Sequence, residues 1–387
     1  MISMRMEEKM GLKRKVIILS VILTVAASAL ATTLGEESQE RRNSRLRFLA
    51  LGDWGGQGKE PYCTEHQREV ANGMASVAAA TRQQHDGSAA VPKVEFVLAL
   101  GDNFYAAGLH TDWDYAHIRF EKTFEGVYHH EELKKPWYIV AGNHDYCGDV
   151  TKQLEYAQQK STLWEYPDYN YNIVKEFKAK DGRTVKIEIL MIDTQHIAGY
   201  FDCKRKDQDY PEGIKPHLQT KALSFIEDTL KNSSADYLLV AGHYPVFSAC
   251  ANGNTQELID KLDPLMKKYG VSAYISGHEH CQFHYNYENM EYLLTGIGKD
   301  CCYGSEEKKN LPDGGELKYL LADDSDYSGS SGVKGGFASF DVGDEDIIVR
   351  MHIETGETFY ETKLYPRTKM TNLKETKQTA SIRVAVA

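Results

Sequence analysis

The chain has 387 residues and a net charge of −11, with 42% hydrophobic and 26% charged residues. This length and hydrophobic content favour one large α/β domain with additional segments at its ends. The charge is spread along the sequence without a run of Lys and Arg, so we exclude a nucleic-acid-binding surface. A soluble acidic protein with a small or phosphorylated substrate is expected instead.

The N-terminus has the pattern of a secretory signal. Lys13-Arg14-Lys15 precedes an apolar run from Val16 to Leu30, which ends in the small residues of Ala29-Leu30-Ala31. This order predicts a signal peptide at residues 1–31, cleaved near Ala31, and a secreted or lysosomal protein. The alternative is an uncleaved anchor, although 15 residues are few for crossing a bilayer. Cleavage removes five basic and two acidic residues and leaves a net charge of −14.

Beyond this segment we predict a flexible leader at 32–45, an α/β domain at 46–366 and a weakly ordered tail at 367–387. Apolar runs that predict buried strands lie at Phe48–Leu51, Val94–Leu100, Trp137–Val140, Val185–Ile192, Tyr237–Ala241 and Val271–Ser276. Segments that predict helices lie at Thr64–Thr81, Trp113–Phe124, Lys221–Leu230 and Gln256–Tyr269. Strands that alternate with helices are typical of a sheet whose faces are both covered.

The last third of the domain has a different pattern. Short apolar runs follow one another without helices, at Tyr292–Thr295, Gly336–Phe340, Ile347–Ile353 and Thr358–Leu364. They predict antiparallel strands that complete a second sheet. The polar segment 200–217 is long enough to be a flap, and residues 304–334 are expected to form a long loop near the cleft.

Five predicted strands end in a glycine that is followed at once by a candidate metal ligand. The ligands are Asp53, Asp102, Asn143, His243 and His278. Ligands collect at the carboxyl ends of strands in an open α/β sheet, so we expect these side chains to meet in one crevice. A lone His-x-His pair such as His278 and His280 is often buried in a core, but five converging strand ends favour a metal site.

The donor types indicate two metal ions. A carboxylate such as Asp102 can bridge two cations, and imidazole or amide oxygen completes a divalent site without excess charge. Tyr105 is a core tyrosine in the alternative interpretation, but its place three residues beyond Asp102 favours a ligand, and a phenolate favours a trivalent ion such as Fe(III). Two metals about 3.5–4 Å apart suit phosphate ester hydrolysis, because they stabilise both the entering and the departing oxygen.

The two residues that follow Asn143, His144 and Asp145, have predicted supporting roles. His144 is placed to give a proton to the leaving alkoxide and is our candidate general acid. The alternative for His144 is a hydrogen-bonding role beside the ligands. Asp145 is expected to orient the His144 imidazole or a ligand.

These blocks, in this order, resemble the five motifs of the calcineurin-like metallophosphoesterases. The matching blocks are Asp53, Gly101-Asp102-x-x-Tyr105, Gly142-Asn143-His144-Asp145, Gly242-His243 and Gly277-His278-x-His280. Three blocks are similar in particular to the small, mammalian-type purple acid phosphatases, also called tartrate-resistant acid phosphatases: Asp53-Trp54-Gly55-Gly56, Asp102-Asn103-Phe104-Tyr105 and His243-Tyr244-Pro245-Val246. The protein serine/threonine phosphatase branch has Asp-x-His in the first block, and Asp53-Trp54-Gly55 argues against that branch.

The resemblance implies an α/β four-layer sandwich of two mixed sheets flanked by helices. It assigns Fe(III) to Asp53, Tyr105 and His280, a divalent iron or zinc ion to Asn143, His243 and His278, and a bridging role to Asp102. It further implies that a metal-bound hydroxide attacks phosphorus, that His144 serves the leaving group, and that charge transfer from Tyr105 to Fe(III) colours the protein.

The chain departs from the family at one substrate-side position. Mammalian members have a second histidine shortly after the His-Tyr-Pro-Val block, where this chain has Ala251 and Asn252. Protonation of the leaving group is therefore expected to rest on His144 alone. The resemblance also suggests a disulfide between Cys203 and Cys250, which would tie the flap to the loop after His243.

The cysteine count and one sequon bear on secretion. Seven is an odd number, so in an oxidising compartment at least one cysteine stays outside the intramolecular bridges. The cysteine spacing lacks the Cys-x-x-Cys pairs of a structural zinc site. Asn232-Ser233-Ser234 is a glycosylation sequon just after a predicted helix.

The sequence leaves three functions open. The main hypothesis is an acid phosphomonoesterase with a binuclear Fe(III)–M(II) centre, where M is iron or zinc, acting on a small phosphorylated substrate or a phosphoprotein. The second is a phosphodiesterase or nucleotide hydrolase that uses the same metals. The third is a catalytically silent binding protein, which is disfavoured because no ligand is missing. The mature chain is expected to have no stable membrane span.

Overall fold

The computed structural model describes residues 45–80, 92–159, 163–179, 181–200, 214–323 and 332–369. The predicted signal peptide, nearly all of the predicted leader, Cys203 and most of the predicted tail lie outside these residues. Within the described ranges, no helix has both the length and the apolar character that crossing a bilayer requires.

In the described part of the chain, fourteen strands, numbered in chain order, form two seven-stranded sheets. The spatial order of the first sheet is β14 (Thr358–Leu364), β13 (Ile347–Ile353), β12 (Gly336–Val342), β1 (Leu46–Leu51), β2 (Val94–Leu100), β3 (Trp137–Val140) and β4 (Trp164–Glu165). The order of the second is β11 (Glu316–Leu321), β9 (Gln282–Tyr287), β10 (Met290–Thr295), β8 (Ala273–Ser276), β7 (Tyr237–Ala241), β6 (Thr184–Met191) and β5 (Tyr171–Lys178).

Each sheet has a parallel centre. In the first sheet β1, β2, β3 and β4 are parallel neighbours, and in the second β6, β7, β8 and β10 are. The two sets of carboxyl ends meet, because the Gly52 amide after β1 donates to the Thr295 carbonyl at the end of β10 at 2.8 Å. Glycine is needed at position 52, since a Cβ there would lie 2.8 Å from the Gly277 Cα.

Helices cover the outer faces of both sheets. Their bounds are Glu65–Ala79 (α1), Trp113–Arg119 (α2), Asn143–Tyr146 (α3), Thr151–Gln159 (α4), Thr194–Ala198 (α5), Pro216–Asn232 (α6), Gln256–Lys261 (α7) and Asp263–Lys268 (α8). In β7, Leu239 lies in the core between the sheets, whereas Leu238 and Val240 lie in the outer core with residues of α6, α7 and α8. This alternation follows the period of a strand, and it confirms the predicted four-layer α/β sandwich.

The predicted helices differ from the observed ones where local chemistry intervenes. The Thr64 hydroxyl accepts the Gln67 amide at 3.1 Å, so Thr64 caps α1 and does not belong to it. The helix predicted at 256–269 is divided into α7 and α8 at Leu262. Pro264 lacks an amide hydrogen and is accommodated in the first turn of the second helix.

The last strands were predicted to be antiparallel and to complete a second sheet, and for three of the four runs the predicted sheet was wrong. Strands β12, β13 and β14 pair antiparallel on the free side of β1 and complete the first sheet. The run at 292–295 lies in the second sheet, where it pairs antiparallel with β9 and parallel with β8. An alternating sequence identifies a strand, but its partner depends on contacts distant in sequence.

The predicted disulfide between Cys203 and Cys250 was also wrong, because Cys250 is bonded to Cys281. Cys250 lies in the segment after β7 and Cys281 in the segment after β8. These two strands are parallel neighbours, so both segments begin at the same edge of the sheet. Cys301 and Cys302 form a second bond. Among the described residues Cys63 is free and buried, in agreement with the odd cysteine count.

Candidate metal centre

Three predicted ligands stand at strand ends in an unusual backbone conformation. Asp53 follows β1 with a φ of 57°, Asp102 follows β2 with a φ of 52°, and His278 follows β8 with a φ of 72°. Residues other than glycine rarely adopt this left-handed region. Such conformations persist where the surrounding structure enforces them, typically at functional sites.

Asp53, Tyr105 and His280 form one cluster, which we call the tyrosine cluster. The Tyr105 hydroxyl donates to Asp53 Oδ1 at 2.9 Å and lies 3.1 Å from His280 Nε2. His280 Nε2 is 3.7 Å from the same carboxylate oxygen. Three donor atoms from three strand exits therefore face one another in a buried space.

Asn143, His243 and His278 form a second cluster, the histidine cluster. Asn143 Oδ1 lies 2.9 Å from His243 Nε2 and 3.1 Å from His278 Nδ1. His243 Nδ1 is 2.8 Å from the Leu100 carbonyl oxygen. A carbonyl oxygen only accepts, so Nδ1 carries the ring proton and Nε2 keeps its lone pair for a ligand.

Asp102 lies between the two clusters. Its Oδ1 is 3.5 Å from His243 Nε2 and accepts the His144 backbone amide at 2.9 Å. One ligand atom each from Asp53, Asp102 and His243 lies within 4.8 Å of the others, a spacing that a metal ion can span. The structure thus brings together all seven predicted ligands, with the predicted bridging residue in the middle.

The electrostatics of these residues fit metal ions. Burial, followed by the charge of Asp102, raises the pKa of Asp53 well above its usual range. Burial lowers the pKa of His243 and of His278, and it lowers that of His280 to about 4. Neutral imidazoles with available lone pairs surround carboxylates that repel each other. Bound cations would balance this negative charge and accept the lone pairs.

His144 lies on the solvent side of the clusters. Its side chain is 35% exposed, and Nε2 is 3.9 Å from Asp102 Oδ2. Its Nδ1 is 2.6 Å from the Ala106 carbonyl oxygen, so the proton on Nδ1 is fixed and Nε2 faces the crevice. An exposed imidazole with one nitrogen directed at the site has the geometry of a proton donor.

Comparison with known proteins identifies the family. Residues 46–282 match the calcineurin-like phosphoesterases. The chain belongs to the calcineurin-like phosphoesterase family. It is 35% identical over 327 residues to human tartrate-resistant acid phosphatase type 5, covering 84% of this chain and 92% of that protein. It is 30% identical over 290 residues to purple acid phosphatase 4 of Arabidopsis thaliana, covering 73% and 77%. These relatives confirm the resemblance to the purple acid phosphatases.

Solved structures show the same fold. GAP50, the anchor in the inner membrane complex of Plasmodium, matches this phosphoesterase with a TM-score of 0.64 at 22% identity, over 84% of this chain and 89% of that one. The purple acid phosphatase PPD1 of yellow lupin matches with a TM-score of 0.53 at 14% identity, over 83% and 54%. At these identities both similarities support the architecture alone.

Asp145 has a more structural position than we predicted for it. Its carboxylate accepts the backbone amides of Gly142, Asn103 and Phe104 at 2.8–3.1 Å and the Gln153 side-chain amide at 2.8 Å. Asp145 therefore ties the segment after β2 to the segment after β3. It orients the loops that carry the predicted ligands Asp102 and Asn143.

Three residues near the site were not predicted from the sequence as parts of it. A cavity of about 120 Å³ is lined by Asp102, Asn143, His144, Asn252, His278, His280 and Tyr303. The Tyr303 ring stacks on that of His280 with centroids 4.4 Å apart, and Lys299 lies over the Tyr105 ring. Glu279 accepts both amides of Asn252 at 3.2 Å. The signal available for Lys299 and Tyr303 was the end of β10, where Thr295-Gly296 repeats the strand-then-glycine pattern.

Proposed function

We propose that this phosphoesterase is an acid phosphatase that hydrolyses phosphate monoesters at a binuclear metal centre. The observation that carries the proposal is the pair of three-donor clusters on either side of Asp102. The tyrosine cluster would hold Fe(III), the histidine cluster Fe(II) or Zn(II), and Asp102 would bridge the two ions. The acid phosphatases among the relatives support the choice of monoesters.

The residues around the cavity suit a phosphoryl group. Bound metal ions supply the charge that activates water and stabilises both the entering and the departing oxygen. The cavity of about 120 Å³ has a polar wall and takes a group of phosphate size. Asp145 and the strand exits hold the ligand loops rigidly, which fixes the position of the reacting group.

His144 is the proton donor in this proposal. The Ala106 carbonyl holds the Nδ1 proton and fixes the ring. In the imidazolium form the second proton, on Nε2, is directed at the cavity, where a leaving oxygen can take it and leave the neutral ring. Asn252 lines the same cavity, and its backbone and side-chain amide nitrogens each donate to Glu279. An amide has no proton to transfer at ordinary pH, so proton donation rests on His144.

The proposed enzyme acts outside the cytosol, in a secreted or lysosomal setting. The apolar run at 16–30 behind basic residues supports a cleaved signal peptide, and the Cys250–Cys281 bond suits an oxidising compartment. Asn232 is exposed at the end of α6, where a glycan can be attached without disturbing the core.

Elemental analysis with a visible spectrum of the protein as isolated tests the metal assignment. We expect two metal ions per chain, iron among them, and a visible band from the Tyr105 phenolate. A colourless protein that is fully active with manganese or zinc alone would refute iron while leaving metal-dependent hydrolysis in place.

The ratio of rates on p-nitrophenyl phosphate and its bis ester tests the substrate class. We expect the monoester to react faster, because the relatives that cover most of this chain are acid phosphatases. Faster hydrolysis of the bis ester would support the phosphodiesterase hypothesis instead.

A further inference from the structure

A buried ammonium lies beside the tyrosine cluster. Lys299 follows β10, and its Nζ is 4.3 Å from the centroid of the Tyr105 ring. Its side chain is 11% exposed and forms an ion pair with Asp300. A cation over an aromatic face is attracted by the electrons of the ring, and more strongly when it is shielded from water.

The position of Lys299 argues against a role in binding substrate. Among the described residues that line the cavity, the basic side chains are histidines. Lys299 is absent from the cavity lining and contacts the ring of a predicted ligand from outside it. Its charge acts on the ligand itself.

We infer that Lys299 tunes the metal site by setting the electron density that the Tyr105 oxygen offers to a metal ion. This inference rests on the proposed function, because it takes Tyr105 as a ligand. With a metal ion bound at Tyr105, the ammonium would stabilise electrons on the adjacent phenolate more than electrons on a more distant ion, since an electrostatic interaction weakens with distance. Lys299 would act through the effect of its charge on Tyr105, and it touches no reacting atom.

The neighbouring groups agree with such an influence. The Asp300 carboxylate partly offsets the lysine charge, and its side chain is 45% exposed, with His66 Nδ1 at 3.4 Å. Lys299 and Asp300 can therefore be changed separately, with opposite effects on the field at Tyr105.

The test is the visible band of protein loaded with iron(III). For Lys299→Gln we expect the band to move to longer wavelength by on the order of 10 nm, because the phenolate electrons are no longer stabilised by the ammonium. Lys299→Arg keeps the positive charge, so its band should stay at the wild-type wavelength. Asp300→Asn moves the band the opposite way, to shorter wavelength, because the lysine charge is no longer offset.

A matched control is Lys267→Gln. The Lys267 ammonium also lies over a tyrosine ring, that of Tyr287, at 4.5 Å, but neither residue belongs to the two clusters. This variant should leave the band unchanged. If Lys299→Gln does not fold, Asp300→Asn and Lys299→Arg decide the question.

The outcomes separate this inference from the proposed function. An unchanged band in Lys299→Gln and in Asp300→Asn, at wild-type iron content, overturns the inference alone. A wild-type protein that hydrolyses phosphate monoesters but shows no band when it is loaded with iron(III) overturns Tyr105 as a ligand, and the inference with it. A coloured wild type whose band responds to Lys299→Gln but which hydrolyses no phosphate ester refutes the proposed function and leaves the inference standing.

Discussion

Buried carboxylates occur in two different surroundings in this phosphoesterase. Asp341 in β12 lies opposite Arg47 in the strand register, with Arg47 Nε 3.0 Å from its carboxylate, and Arg350 of β13 pairs with its other oxygen. Asp53 and Asp102 are equally buried, but their ion-pair partners among the described residues are histidines.

The two surroundings differ in the source of the positive charge that balances the carboxylate. The guanidinium of arginine is always charged, so Asp341 is neutralised by the chain itself. Burial lowers the pKa of His280, so its imidazole brings a lone pair and little charge to Asp53, whose own pKa is raised by burial and by the charge of Asp102. An acidic cluster that the chain leaves uncompensated is a site for external cations, whereas a compensated one serves the fold.

The largest effect is expected when the bridging carboxylate is removed. Asp102→Ala should lose bound metal and reduce phosphatase activity by more than about 100-fold, since even residues that support metal ligands are worth about 10–100-fold. Metal content and turnover are the measurements. The matched control is Asp341→Asn, which should lower the free energy of unfolding but keep metal and activity. Equal metal loss in both variants would remove the contrast between the two surroundings.

Chelation should abolish activity reversibly and also lower the unfolding temperature. Metal ions that bind the folded state alone stabilise it, and their removal restores the repulsion between Asp53 and Asp102. Calorimetry with and without chelator measures the shift, and adding iron and zinc back should reverse it. Asp102→Ala serves as the control, because its unfolding temperature should not respond to chelator. A shift of the same size in that variant would place the stabilising metal elsewhere.

A smaller effect is expected from the proposed general acid. His144→Ala should slow hydrolysis of esters with poor leaving groups by about 10²–10⁴-fold, and it should slow p-nitrophenyl phosphate far less, because nitrophenolate leaves without a proton. The rates on an alkyl phosphate and on p-nitrophenyl phosphate give the measurement. His110→Ala, which changes an exposed histidine outside the cavity, should alter neither rate. Equal slowing of all esters by His144→Ala would remove its role as an acid.

The smallest effect is expected at another compensated acid. Glu291 lies 2.8 Å from His284 Nε2 and 2.9 Å from Lys318 Nζ, with its side chain 18% exposed. Burial alone would raise the pKa of Glu291, but His284 and Lys318 outweigh it and lower the pKa to about 2. Glu291→Gln should therefore cost about 2 kcal/mol of unfolding free energy at neutral pH, without changing activity.

The pH dependence of that loss gives a sharper test. Because the folded-state pKa of Glu291 is below its ordinary value of 4.5, its stabilising contribution is full above pH 4.5 and disappears as the pH falls through about 2. Urea unfolding of wild type and variant at several pH values should show the two curves converging in acid. A difference that does not change with pH would assign the loss to packing.

The sequence by itself determined the strand exits and the residues on them. Buried parallel strands are continuous apolar runs, and a glycine followed by a donor is a local pattern, so five of the seven predicted ligands could be read from the strand ends. Tyr105 and His280 were predicted from their places near Asp102 and His278. The family followed from the same blocks, since their residue types and order are specific.

The tertiary structure alone decided which distant segments meet. The pairing of β12 with β1, the bond between Cys250 and Cys281, and the contact of Lys299 with Tyr105 join positions that no local pattern links. An alternating run specifies which faces of a strand are apolar, but its partner is set by the whole chain packing into two sheets. The predicted ligands belong to local patterns, so the sequence indicated them. The charged groups around them come from distant segments, so only the fold shows which ones they are.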